Sequence, residues 1–175
     1  MYAAHFAAAL AIKSRAPKAP AWALLGGAFV PDFLWIGFAA AGVEPADPKI
    51  YFDDWSHSLL SIVIEATLFA LLFYRRGAAV WLPVWLGVFS HFLLDLPIHP
   101  RPLALYPHAS LHLGWNMWSW GLSKSFLGAT NYWWVQLAVT LVLLAIYARG
   151  ARRIRIAPNL AAASCVAVLG LHLLF

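Results

Sequence analysis

V-F-S-H-F-L-L-D-L-P-I-H, Val88–His99, is the stretch whose reading decides the fold. It is an apolar run with the character of the end of a membrane-spanning helix, and it carries His91 and Asp95 four residues apart. On a helix that spacing stacks both side chains on one face. Pro97, two residues after Asp95, is expected to end the helix. His99 then lies just beyond, where a short turn can fold it back. An ionisable pair in hydrocarbon is costly, so it marks a functional site unless the chain explains it otherwise.

Composition agrees with the membrane reading. Of 175 residues, 63% are hydrophobic and only 11% charged, against roughly half and a quarter in a soluble domain. The expected fold is all-α, a polytopic transmembrane helical bundle forming one domain over residues 1–175. The net charge of +5 is a topology signal, and no nucleic-acid partner is implied. The single cysteine, Cys165, excludes an intramolecular disulfide and reads as a small apolar residue. No cleavable signal peptide is expected, because the N-terminus is apolar first and basic second.

Along the chain, Met1–Ile12 is a short apolar helix holding His5. Twelve residues rise about 18 Å, less than a hydrocarbon core of about 30 Å. About five full spans follow: Ala21–Gly42, Ser56–Tyr74, Ala78–Leu96, Tyr132–Ala148 and Pro158–Phe175. Within the long connection Pro97–Asn131, the tryptophan-rich segment Leu111–Gly121 is expected to form an interfacial helix.

Lys13, Arg15, Lys18, Arg75, Arg76, Arg149, Arg152, Arg153 and Arg155 lie in three alternate connections that contain no acid. Glu44, Asp47, Asp53 and Asp54 lie together in another. The positive-inside rule places the basic turns in the cytoplasm and the acidic and histidine-rich loops outside.

On that topology His5, Asp32, His57 with Asp54 before it, and His91, Asp95 and His99 converge at one depth near the outer face. Imidazole and carboxylate are the ligands of zinc and similar divalent ions. The candidate metal ligands are His5, Asp32, His57, His91, Asp95 and His99, and their number leaves room for two ions. Asp95, Glu65 and Asp54 are the candidate catalytic bases; Glu65 lies two turns below His57 and can also orient a ligand. Plainer readings exist for each. His91 and Asp95 can brace two helices, Asp32 after Pro31 can break one, and Asp54 can cap the second span. His108 and His112 read as interface residues beside the tryptophans, and His172 as incidental.

His5, Pro31-Asp32, His57-Ser58 and the S-H-x-x-x-D of Ser90–Asp95, in that order, resemble the bacterial family of membrane-bound, metal-dependent hydrolases of the LexA-regulated, YdjM-like type. They resemble still more closely its small uncharacterised relatives, in which the segment continues L-L-D-x-x-x-H. The resemblance covers roughly residues 1–112. It implies metal ligands at His5, Asp32, His57, His91 and Asp95. The hydrolases carry H-R-G before T-H-S, where this chain has Phe52, Asp53 and Asp54 before Trp55-Ser56-His57-Ser58, so one histidine of the pattern is missing.

The expected protein is a hydrolase of the bacterial cytoplasmic (inner) membrane. It would carry a divalent ion, zinc first among them, and act on an ester or phosphoester of a membrane lipid or lipid-linked substrate at the outer face. The alternatives are a non-enzymatic metal- or proton-binding subunit of a transporter or larger membrane assembly, and a structural protein whose polar cluster only braces helices.

Overall fold

The computed structural model describes residues 2–46, 52–97, 99, 101–115 and 131–174. It is mostly helical. Helix α1 (Tyr2–Arg15) carries no acid in its first turn and ends on Lys13 and Arg15, which suit the negative end of the helix dipole. Lys13 Nζ turns back to donate to the carbonyls of Pro17 and Ala19, both at 2.8 Å. Ala3, Ala4, Ala7 and Ala8 are buried along this helix, and small residues let neighbouring backbones approach closely.

The first expected span is two helices, α2 (Ala21–Gly27) and α3 (Val30–Ala40), bent by 47°. Pro31 explains the break: it has no N–H for the preceding turn, and it sits in the first turn of α3, where that loss is tolerated. The second expected span is broken too. Helix α4 (Asp54–His57) stops at Ser58, whose extended backbone (ψ 156°) starts α5 (Leu59–Leu71) in a new direction. The cap of α5 is Ser58, accepting from the Ser61 N–H, and not Asp54, which lies inside α4. A 3-10 turn at Tyr74–Arg76 leads into α6 (Ala78–Asp95).

After α6 the chain forms a small hairpin, β1 (Leu103–Ala104) with β2 (His112–Leu113), antiparallel with Leu103 opposite Leu113. Leu103 buries against Ile62 of α5 and Phe92 of α6, and the Leu60 N–H donates to Leu105 O. The described part of the segment expected to be an interfacial helix, Leu111–Trp115, is therefore not helical. Gly114 explains why: its φ of 109° lies outside the helical region, and a Cβ there would meet the Leu96 backbone. Trp118 and Trp120 lie outside the described residues.

Helix α7 (Asn131–Arg153) runs on through Arg149, Arg152 and Arg153, longer than the expected Tyr132–Ala148, and α8 (Pro158–Leu174) follows. Helix α1 packs against α7, α6, α2 and α8. Among the described residues two helices, α6 and α7, are long and apolar enough to cross a membrane, and a third if the bent α2–α3 pair is one span. The about five spans expected from the sequence are met only to that extent, since α5 and α8 have 13 and 17 residues, about 20 and 26 Å of rise.

Candidate metal centre

The last two turns of α6 meet the first turn of α1, the start of α3 and the end of α4. His91 and Asp95 lie one turn apart on the buried face of α6, with His91 Nε2 3.2 Å from Asp95 Oδ2. The α2–α3 bend presents the Ala28 carbonyl to His91, and Nδ1 sits 2.7 Å from that oxygen. A carbonyl only accepts, so His91 Nδ1 carries the proton and donates. The lone pair of a neutral His91 is therefore on Nε2. That atom faces Asp95 and, at 3.9 Å, Asp32 Oδ1. Orienting a ligating imidazole through its other nitrogen is the usual arrangement around a bound metal.

His57 is held the same way, by a different route. The Ser56 hydroxyl donates to Glu44 Oε2 at 2.8 Å. His57 Nδ1, 2.8 Å from the same hydroxyl oxygen, then donates to it. His57 Nε2 is left facing Asp32 Oδ1 at 3.6 Å. Glu44 also takes the backbone N–H groups of Trp55 (2.7 Å) and Ser56 (3.1 Å). It thus caps α4, whose preceding residue Asp53 makes no side-chain cap bond. Burial raises the Glu44 carboxyl above its usual range, and the donors from Ser56 and Trp55 oppose the rise. The sequence places Glu44 in the outer acidic loop; in the fold it is 2% exposed. Neither Glu44 nor Ser56 was expected to bear on the site.

His5 reaches the cluster from α1. Its ring lies flat on that of His91, with centroids 4.0 Å apart and planes within 2°. Its Nε2 is 3.4 Å from Asp95 Oδ1. Both His5 nitrogens are buried, and neither makes a hydrogen bond among the described residues. Buried polar atoms without partners are uncommon and expensive.

Two sets of three side chains each place ligand atoms within 4.8 Å of one another: His5, His91 and Asp95, and Asp32, His57 and His91. His91 belongs to both. Imidazole lone pairs aimed at carboxylate oxygens repel them unless a proton or a cation lies between. The orphaned nitrogens of His5, the oriented Nε2 atoms and the carboxylates form a donor set that could hold a divalent metal. The Asp32 side chain is 28% exposed while that of His91 is 2% exposed, so the cluster opens on the Asp32 side.

The remaining expected residues are not members of these sets, although the His99 ring lies 5.7 Å from that of His57. His99 does fold back, with its N–H bonded to Asp95 O at 2.8 Å. Its Nδ1 donates to Arg101 O (2.8 Å), and its Nε2 pairs with Asp53 Oδ2 at 3.0 Å. Burial alone would lower the His99 pKa, but the Asp53 hydrogen bond and charge outweigh it and raise it to about 9. The same bond holds Asp53 below the usual carboxylate range against the opposing effect of burial. Asp54 Oδ2 accepts the His108 N–H at 3.0 Å, pinning the hairpin. Glu65 is buried on α5 with Oε2 unbonded among the described residues. His172, read as incidental, is buried against Trp133 with ring centroids 4.7 Å apart.

No family model matches the chain, and no curated protein or solved structure does either.

Proposed function

We propose that the protein is a membrane-embedded, metal-dependent hydrolase acting on an ester or phosphoester of a lipid or lipid-linked substrate. The observation that carries this reading is the convergence of three imidazoles and two carboxylates from α1, α3, α4 and α6 on one buried locus, two of the imidazoles with Nδ1 already committed. A bundle that only needed bracing would satisfy these groups with each other. Here His5 makes no hydrogen bond among the described residues, and only its Nε2 lies near a carboxylate, 3.4 Å from Asp95 Oδ1. A divalent ion in this setting supplies Lewis-acid chemistry, lowering the pKa of a water nucleophile towards 7 and polarising the oxygen under attack.

The chain's own residues do the rest. His5, Asp32, His57, His91 and Asp95 would supply the ligands for bound metal. Ala28 O and the Glu44–Ser56 pair fix which imidazole nitrogen faces it. Asp32, on the open side, lies where substrate and water enter. Of the candidate bases, Asp95 lies in the cluster, Glu65 stands apart from it and Asp54 serves the hairpin. The order of the motifs, resembling that of the membrane-bound hydrolases, supports the same reading. About five spans, with the basic turns in the cytoplasm of a bacterial inner membrane and the cluster near the outer face, follow from the distribution of Lys and Arg. The depth of the cluster favours an amphiphilic substrate.

The test is hydrolysis by detergent-purified protein loaded with Zn²⁺ or Mn²⁺ and offered phospholipids in mixed micelles. Release of a phosphorylated headgroup or free phosphate, abolished by chelator and by Asp32→Ala, is the expected result. Release that survives both, or none from any lipid ester, would count against a hydrolase.

A further inference from the structure

The stacking of His5 on His91 bears on how many ions the cluster holds. A metal bonded to an imidazole lies in the ring plane, about 2.0–2.1 Å from the nitrogen. The two rings are stacked, 4.0 Å between centroids and within 2° of parallel, so their planes do not meet near the site. One ion bonded to both nitrogens would have to leave the plane of at least one ring, where there is no lone pair. The carboxylate of Asp95 straddles the stack: Oδ2 is 3.2 Å from His91 Nε2, and Oδ1 is 3.4 Å from His5 Nε2. Each imidazole therefore faces its own carboxylate oxygen. The offset between the rings also falls in the range of about 3.5–4 Å that separates paired catalytic metals.

We propose that the site is dinuclear. One ion is held by Asp32, His57 and His91, and a second by His5, with Asp95 bridging the two. This inference rests on the metal reading above and narrows it. Two divalent ions bring twice the positive charge that Asp32 and Asp95 together cancel. The surplus suits an anionic phosphoester better than a neutral carboxylic ester, and paired metals clamp the attacking and leaving oxygens of a phosphoryl centre.

The test uses Mn²⁺ as probe on the full-length, detergent-purified chain, read by metal-to-protein ratio and by electron paramagnetic resonance. Wild type is expected to bind two Mn²⁺ per chain and to give the multiline signal of exchange-coupled ions. His5→Ala is expected to bind one, with an uncoupled six-line signal. The wild-type spectrum decides the matter even if the variant does not fold. One uncoupled Mn²⁺ in wild type would overturn the dinuclear assignment and leave a single-ion hydrolase standing. Two coupled ions retained in His5→Ala would overturn the role of His5. No bound Mn²⁺ in wild type would overturn the metal reading itself.

Discussion

His91 and His99 lie eight residues apart, and each donates Nδ1–H to a backbone carbonyl, Ala28 for one and Arg101 for the other. They differ in what meets Nε2. His99 is closed by a single carboxylate, Asp53, at 3.0 Å. His91 faces two carboxylates, Asp95 at hydrogen-bond distance (3.2 Å) and Asp32 at 3.9 Å, and shares them with His5 and His57. A one-to-one contact at hydrogen-bond distance is a completed ion pair. Several acceptors and lone pairs arranged around a gap form a place for a cation. Residue type and loop position alone do not separate the two cases; the number of partners, and their sharing with other imidazoles, do.

Removing His91 should break the comparison most sharply. His91→Ala takes a member from both sets, and metal affinity should fall by more than the factor of about 100 that bounds the loss of an outer partner. Isothermal titration with Zn²⁺ would read this. Disconnecting the Glu44 relay should do less. Ser56→Ala leaves His57 Nδ1 without its acceptor, and affinity should drop about 10- to 100-fold. Ser56→Thr, which keeps the hydroxyl, should restore most of it, an outcome that a purely structural role for Ser56 would not give if the alanine variant keeps its melting temperature.

Smaller still is the effect of unseating α1. A Cβ at Gly150 of α7 would stand 2.6 Å from Ser14 Cβ and 3.1 Å from its carbonyl oxygen. Gly150→Ala should cost about 1–3 kcal/mol in stability, as overpacking does. It should weaken whatever His5 contributes while sparing Asp32 and His57, and thermal unfolding with and without Mn²⁺ would separate the two effects.

Opening the outer pair should leave the metal untouched. Asp53→Asn is expected to change metal affinity less than threefold while costing about 1.5–3 kcal/mol, as for a charged hydrogen bond. The pH dependence follows from the two shifts. His99 is raised from 6.5 to about 9, so its contribution is complete below pH 6.5 and fades as pH rises through about 9. Asp53 is lowered from 3.8, so its contribution is complete above that value and fades as pH falls below it. The pair is strongest between these limits. In chelator, the melting temperatures of wild type and Asp53→Asn should differ most near pH 5–6 and converge above pH 9. A gap that widens with alkalinity would mean that His99 is not the partner that matters.

Much of the cluster is legible in the sequence. His91 and Asp95 announce themselves by an i, i+4 spacing at the end of an apolar run, and the acid-free basic turns lead to the expectation that His5, Asp32 and His57 share their depth. What the sequence hid depends on contacts between distant segments. Glu44 reads as one of four acids in a loop, because its value lies in meeting the N–H groups of Trp55 and Ser56 11 and 12 residues away. His99 reads as a ligand until Asp53 is seen to occupy its Nε2. The break at Ser58 had a local signal, a serine three residues before Ser61 at a helix start, but Ser56–Tyr74 has the length and mostly apolar character of one span, which concealed it. The hairpin had none, since two-residue strands show no alternation to detect.

The measurement that reaches the central claim most directly is elemental analysis of the purified protein, with His91→Ala and Asp32→Ala beside His99→Gln. Stoichiometric zinc, manganese or iron in wild type and in His99→Gln, lost from His91→Ala and Asp32→Ala, is the predicted result. A wild-type protein that takes up no metal after reconstitution, or a His91→Ala variant that keeps it, would contradict the account and make the cluster a brace between helices.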